Sequence, residues 1–116
     1  SWKQLGQDID GEAAWDQSGI SVSLSADGKT LAIGANGNDD NGDRSGHVRV
    51  YYMEEDVTGF SWKKLGQDIN GESAYDYSGF SVSLSSDGKT LAIGAYSDNE
   101  YSVGWGQVRV FNIELN

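Results

Sequence analysis

The sequence predicts an all-β fold built from two copies of one unit of about sixty residues. Three observations predict it. The sequence repeats itself, the side chains within each copy alternate between apolar and polar, and no 3.6-residue apolar period persists for three helical turns. The 116 residues are 37% hydrophobic, which is enough to build a packed core.

The internal repeat is almost free of gaps. Residues 21–25 recur as 81–85, and residues 27–35 recur as 87–95, in both cases sixty positions later. Other aligned pairs are Trp2 with Trp62, Gly6 with Gly66, Asp16 with Asp76, and Val48 with Val108. The two units therefore share one fold.

Each unit contains four predicted strands. In the first strand Ile20, Val22 and Leu24 point to one face, and serines alternate with them on the other. The pair Asp27-Gly28 favours a tight hairpin, which leads into an antiparallel strand at 30–35. A third strand is predicted at 47–52 and a fourth at 61–65.

Four short strands at a fixed period predict the blade of a β-propeller or a sheet solenoid, because each small sheet must cover both faces with neighbours. Small residues at four strand positions would let adjacent sheets approach closely: Ser21, Ser23, Ala32 and Gly34. We expect one blade repeat in residues 1–60, with an outer strand at 1–8, and a second in residues 61–116.

The sequence also resembles a known repeat family. The run from Ser78 to Ser83, the Asp-Gly turn after it, and 91–95 with its final Gly-Ala resemble the FG-GAP repeat of integrin α-subunit propellers. The run 106–111 resembles the third strand of that repeat. The resemblance covers both units, and it implies a propeller fold with a role in adhesion or ligand recognition, outside the cell or at its surface.

Two departures from the family pattern bear on metal binding. Ser18-Gly19 and Ser78-Gly79 replace the usual Phe-Gly, and the family's calcium loop is shortened to 25–28 and 85–88. One carboxylate in each short loop cannot supply the six to eight oxygens that calcium prefers. The metal residues of the family therefore do not carry over, and no cofactor is predicted from them.

The number of blades predicts partners. Two blades cannot close a ring, so we expect a cyclic homo-oligomer in which three chains give six blades or four chains give eight. The N-terminal strand of one chain would complete the last blade of its neighbour, whose outer strand is otherwise missing.

The charge and composition exclude several classes of partner. The net charge of −10 and the scattered Lys and Arg residues argue against nucleic acid, and no apolar run is long enough for membrane insertion. The only histidine, His47, aligns with Gln107 and is expected on a strand surface. Asp8, Glu12 and Asp16 recur in the second unit and are expected to serve turns and packing, so no enzyme activity is predicted.

The loops after the Gly-Ala strand differ between the units. Candidate ligand-binding residues in them are Asn38, Asp39, Asp40, Tyr96, Tyr101 and Trp105. The aromatic side chains form either a platform for a sugar or protein, or a cover for a neighbouring blade, which we favour. Asp39, Asp40 and Asp43 are weak candidates for calcium, since a solvated turn explains them better. Trp2, Trp62, Trp15 and Tyr75 are assigned to packing.

These observations predict a non-catalytic module for protein–protein or adhesion-type recognition. The alternative is a lectin-like glycan binder, with or without assistance from calcium. Repeated blades support both, because propellers carry many unrelated functions.

Overall fold

The computed structural model describes residues 1–13, 15–38, 45–72, 77–95 and 106–113. Within these ranges the fold is all-β, as predicted. The first sheet contains β1 (Ser18–Leu24), β2 (Thr30–Ala35), β3 (His47–Asp56), β4 (Gly59–Lys64) and β5 (Ile69–Asn70), and the second contains β6 (Ser78–Leu84), β7 (Thr90–Ala95) and β8 (Gln107–Asn112). None of the described residues belongs to a helix of the length and apolarity that crossing a membrane requires.

The two sheets are antiparallel but unequal. The first has the order β1-β2-β3-β4, with β5 also paired to β3, and the second has the order β6-β7-β8. The sequence predicted four strands in each. The first sheet is larger because residues 59–70 add both β4 and β5 to β3, whereas residues 1–10, which match 61–70, form no strand in the single chain.

The repeat is visible in the strand register. Val22 pairs with Ile33 in the first sheet, and Val82 pairs with Ile93 in the second. Both edge strands carry an irregularity at the same place, between Ser18 and Ser21 and sixty positions later. Equal sequences therefore give equal local structure.

The Asp-Gly hairpins form as predicted. Gly28 has a φ of 73°, a conformation that glycine adopts without steric cost. The Asp27 carboxylate accepts hydrogen bonds from the Ser25 hydroxyl at 2.7 Å and the Lys29 amide at 2.9 Å, and these bonds lower its pKa. This local network closes the turn, and it recurs around Asp87.

Each sheet has two chemically different faces. The aliphatic face carries Ile20, Val22 and Leu24 in the first sheet, and Phe80, Val82 and Leu84 in the second. The serine face carries Ser21, Ser23, Ala32, Gly34, Val48 and Val50 in the first sheet, and Ser81, Ser83, Ala92, Gly94, Val108 and Val110 in the second. The serine face of the first sheet packs on the aliphatic face of the second, and the core between them is Ala32, Val48, Val50, Leu91 and Ile93.

The small side chains bring the sheets close together, as predicted. A Cβ atom at Gly34 would collide with the carbonyl oxygen of Gly79. The Ser21 hydroxyl donates to that same carbonyl at 2.8 Å, and the Leu84 amide donates to the Ser23 hydroxyl at 2.9 Å. Polar contacts and close packing therefore act together at this interface.

The prediction that the aligned aromatic residues pack in both units is wrong for the single chain. Trp2 and Trp15 are almost fully exposed, whereas Trp62 is half-buried and donates from its ring nitrogen to the Leu5 carbonyl at 3.0 Å. Trp62 is covered because β4 is part of a sheet, and residue 2 has no such neighbour here. Tyr75 lies outside the described residues.

Candidate functional site

The main group of charged side chains lies at one end of the first sheet. We call it the ion-pair cluster, and it consists of Glu12, His47, Arg49, Lys64 and Asp68. His47 and Arg49 lie two residues apart on β3 and therefore share one face of the strand. The other members come from the segment before β1, from the end of β4 and from the turn before β5.

Arg49 is the centre of the cluster. Its Nε donates to Asp68 Oδ1 at 2.9 Å and its Nη2 to Asp68 Oδ2 at 3.1 Å, which is a bidentate pairing. The same Nη2 donates to Glu12 Oε2 at 2.5 Å, and the Lys64 ammonium also contacts Asp68. Arg49 thus ties β3 to the segment before β1 and to the turn between β4 and β5.

These contacts fix the charge states. Burial alone would raise the pKa of Asp68, but hydrogen bonds from Arg49 and Lys64 outweigh it and lower that pKa to about 2. The hydrogen bond to Asp68 raises the pKa of the Arg49 guanidinium above its ordinary value. Asp68 and Arg49 are therefore both charged throughout the neutral range.

His47 is buried, so the expectation that it lies on a strand surface is wrong. It is 3% exposed, and its Nδ1 lies 3.8 Å from both Glu12 Oε1 and Asp68 Oδ2. Burial lowers the pKa of His47, and the nearby Arg49 charge lowers it further. The ring is consequently neutral at pH 7.

The side chains of Glu12, His47 and Asp68 are close enough to suggest a metal site, since their candidate ligand atoms lie within 4.8 Å of one another. The two carboxylates, however, already bind Arg49. A divalent cation would have to displace the guanidinium or lie beside it, and either change opposes the local charge balance. The chemistry of this donor set therefore favours an ion-pair network over a metal centre.

Two of the recurring carboxylates, Glu12 and Asp16, accept hydrogen bonds within the first unit. Asp16 is buried, and its Oδ2 accepts a hydrogen bond from Asn38 Nδ2 at 2.9 Å. Asn38, a predicted ligand-binding residue, is 2% exposed and also donates to Glu12 Oε1 at 2.7 Å. The structure thus places Asn38 in the interior, where it holds two carboxylates. The remaining predicted site residues lie outside the described ranges: Asp39, Asp40, Asp43, Tyr96, Tyr101 and Trp105.

Parts of two sheet faces remain exposed, and each has a more buried counterpart in the other sheet. On the aliphatic face of the first sheet Val22 and Leu24 are 61% and 57% exposed, whereas their counterparts in the second sheet are half-buried. On the serine face of the second sheet Val108 and Val110 are 70% and 65% exposed. The counterparts of these two valines in the first sheet are buried in the core.

The exposed serine face contains a hollow of about 310 Å³, lined among others by Ser81, Gly94, Gly106 and Val108. In the first sheet the corresponding place is filled by Ser78 and Gly79. The Ser78 amide donates there to the Ser45 carbonyl at 2.9 Å. The hollow on the second sheet therefore corresponds to the position that Ser78 and Gly79 occupy against the first sheet.

Sequence reasoning missed both the cluster and the exposed faces. The recurrence of Asp8 as Asp68 and of Arg49 as Arg109 was a visible signal for the cluster. Nothing in the spacing, however, shows that Asp68 reaches back nineteen positions to Arg49.

The comparisons with known proteins bear on the first unit. The family model of the FG-GAP repeat matches residues 9–51, which contain β1, β2 and the first half of β3. No curated protein and no solved structure matches the chain. The match confirms the resemblance seen in the sequence: residues 9–51 are similar to the FG-GAP repeat.

Proposed function

We propose that this chain is a non-catalytic β-propeller module that assembles as a cyclic homo-oligomer through its two exposed sheet faces and presents its loops for protein recognition. One observation carries the proposal. Val48 and Val50 of β3 are buried, whereas their counterparts Val108 and Val110 of β8 are exposed. The two strands nevertheless pair with β2 and β7 in the same register. This difference supports a contact between chains of the same kind as the one between the two sheets within the chain.

The two exposed faces complement each other because they reproduce the internal pair. The aliphatic face of one copy would meet the serine face of the next, as Val82 and Leu84 meet Ser21 and Ser23 within the chain. Such a contact joins unlike surfaces, so repeating it gives a ring if the rotation closes. Three chains would give six blades and four would give eight.

Burial of the exposed apolar side chains would contribute several kcal/mol to the free energy of association. Full burial of a valine or leucine is worth roughly 1.5–3 kcal/mol, so covering the exposed halves of Val22, Leu24, Val108 and Val110 contributes about 4 kcal/mol per contact. Each chain in a closed ring makes two such contacts. The net charge of −10 opposes association, so added salt should strengthen it.

The native mass of the chain across a dilution series tests the assembly. Val110→Lys places a charge on the exposed serine face and should lower the mass to that of one chain. Val57→Lys makes the same substitution at a fully exposed valine of the β3–β4 turn and should leave the mass unchanged. A folded wild-type monomer at all concentrations, up to high salt, refutes the proposed ring.

The recognition role rests on the family. FG-GAP repeats are typical of extracellular proteins, and we propose an extracellular or cell-surface location with an adhesion-type protein ligand. The predicted ligand residues Asp39, Asp40, Tyr96, Tyr101 and Trp105 follow β2 and β7 in the sequence. Alanine substitution of Tyr101 and Trp105, followed by pull-down of cell-surface proteins, tests this part separately from the native mass.

A further inference from the structure

The first sheet is completed by residues 59–70, which follow its three core strands. β4 pairs with β3 from Tyr51 to Asp56, and the Leu65 amide then donates to the Val50 carbonyl at 2.7 Å. β5 pairs with the start of β3, where Val48 lies opposite Ile69. Asp68 lies between these contacts and holds Arg49 through two hydrogen bonds.

The same completing segment occurs a second time, at the start of the chain. Residues 1–11 and 61–71 are identical except at positions 4 and 10 of the first copy. The backbone bends alike in both, with a φ of 75° at Gly6 and 74° at Gly66. Residues 1–10 thus carry the side chains and the turn that complete a sheet of this kind.

The second sheet offers the matching acceptor. Positions 108 to 110 of β8 repeat the Val-Arg-Val of β3, and the described second sheet ends at β8. Arg109 lies 3.7 Å from Glu72, the counterpart of the Arg49 contact with Glu12, and donates to the Asn70 carbonyl at 2.8 Å. Among the described contacts of Arg109 there is no counterpart of Asp68.

The N-terminal segment is held to Trp62 by hydrogen bonds in the single chain, but its large apolar side chains are exposed. Gln7 exchanges two hydrogen bonds with the Trp62 backbone, at 2.9 and 3.0 Å, while Trp2 is fully exposed and Leu5 is 53% exposed. The corresponding Trp62 and Leu65 are half-buried in the first sheet. Apolar side chains that are exposed in one copy and half-buried in the other indicate a surface that a neighbour can cover.

We infer that residues 1–10 of one copy complete the second sheet of the next copy, with Asp8 binding Arg109 as Asp68 binds Arg49. The inference rests on the proposed ring and names the segment that joins its members. The Leu5 amide would donate to the Val110 carbonyl, as the Leu65 amide donates to the Val50 carbonyl in the first sheet. Ile9 would lie opposite Val108, as Ile69 lies opposite Val48.

Charge reversal in the full chain tests the inference. Asp8→Arg and Arg109→Asp each bring like charges together, so each should raise the concentration at which the assembly half-dissociates by about tenfold or more. The double variant restores opposite charges and should return to near the wild-type value. Glu55→Arg, at an exposed position near the end of β3, controls for the change in net charge.

The Asp8→Arg variant keeps the test valid if Arg109→Asp alone impairs folding, because Asp8 is exposed in the single chain. An equal mixture of the two single variants also reports the ring size. In a ring of four chains the two variants can alternate, so that every contact joins unlike charges. In a ring of three chains two neighbours must be the same variant, so one contact between like charges remains.

The outcomes separate this inference from the proposed function. If Val110→Lys breaks the assembly but neither charge reversal weakens it, the Asp8–Arg109 pairing is overturned and the face-to-face ring remains supported. A wild-type chain that stays monomeric overturns both. Weakening by each single reversal with recovery in the double variant supports the pairing.

Discussion

The substitution Gly34→Ala should destabilise the fold by closing the gap between the two sheets. The added Cβ would collide with the Gly79 carbonyl and crowd the Ser21 hydroxyl that donates to it. Overpacking a close contact costs roughly 1–3 kcal/mol, and losing that hydrogen bond about 1 kcal/mol more. The lower chain entropy of alanine in the unfolded state returns about 0.4–1 kcal/mol. The net loss is about 2 kcal/mol.

Gly94→Ala is the matched control, because the same substitution falls on the exposed serine face. The nearest atom there is the hydroxyl of Ser81, a side chain that can rotate away. At concentrations where the protein is monomeric, we expect the free energy of unfolding to change by no more than about 0.5 kcal/mol. At higher concentrations this variant should instead weaken association.

The assay is thermal and urea unfolding of both variants under monomeric conditions, followed by circular dichroism. For a chain of this length a loss of about 2 kcal/mol corresponds to roughly 8 °C in the melting temperature. A Gly34→Ala variant as stable as the wild type refutes the close approach of the sheets. Equal losses in the two variants would show that the strand itself, and not the opposing sheet, resists the side chain.

Three further predictions concern the ion-pair cluster. His47→Gln, which places at 47 the residue type of Gln107, should flatten the pH dependence of stability. The lowered pKa of His47 means that the wild-type free energy of unfolding falls as the pH drops below 6.5, and the same fall from pH 7.5 to 5 in both proteins, measured by urea unfolding, would contradict this. Asp68→Asn should lower the free energy of unfolding by about 2 kcal/mol at pH 7. This difference from the wild type should close as the pH falls from about 4 to 2, because the wild-type carboxylate then also gains its proton. A difference that persists at pH 2 would show that packing is responsible. Calcium or zinc should leave the melting temperature unchanged, since Arg49 and Lys64 already neutralise the carboxylates, and a rise that a chelator reverses would establish a metal site.

Much of the fold follows from local sequence pattern. The strands at 30–35 and 90–95 and the hairpins before them were predicted because alternation and the Asp-Gly pair act over a few neighbouring residues. The two-residue strand β5 was missed, since so short an element leaves no periodicity. His47 was placed on the surface because its burial depends on carboxylates and chain segments that are distant in sequence.

The sequence by itself determined the two units, the strands of their Asp-Gly hairpins and the chemical character of the faces of those strands, because these depend on contacts within a hairpin. Only the tertiary structure decided which faces are covered. The same Val-Arg-Val run is buried in β3 and exposed in β8, since burial is a property of the surroundings and not of the residue. The two valines of this run thereby form part of the core in one sheet and stay exposed in the other.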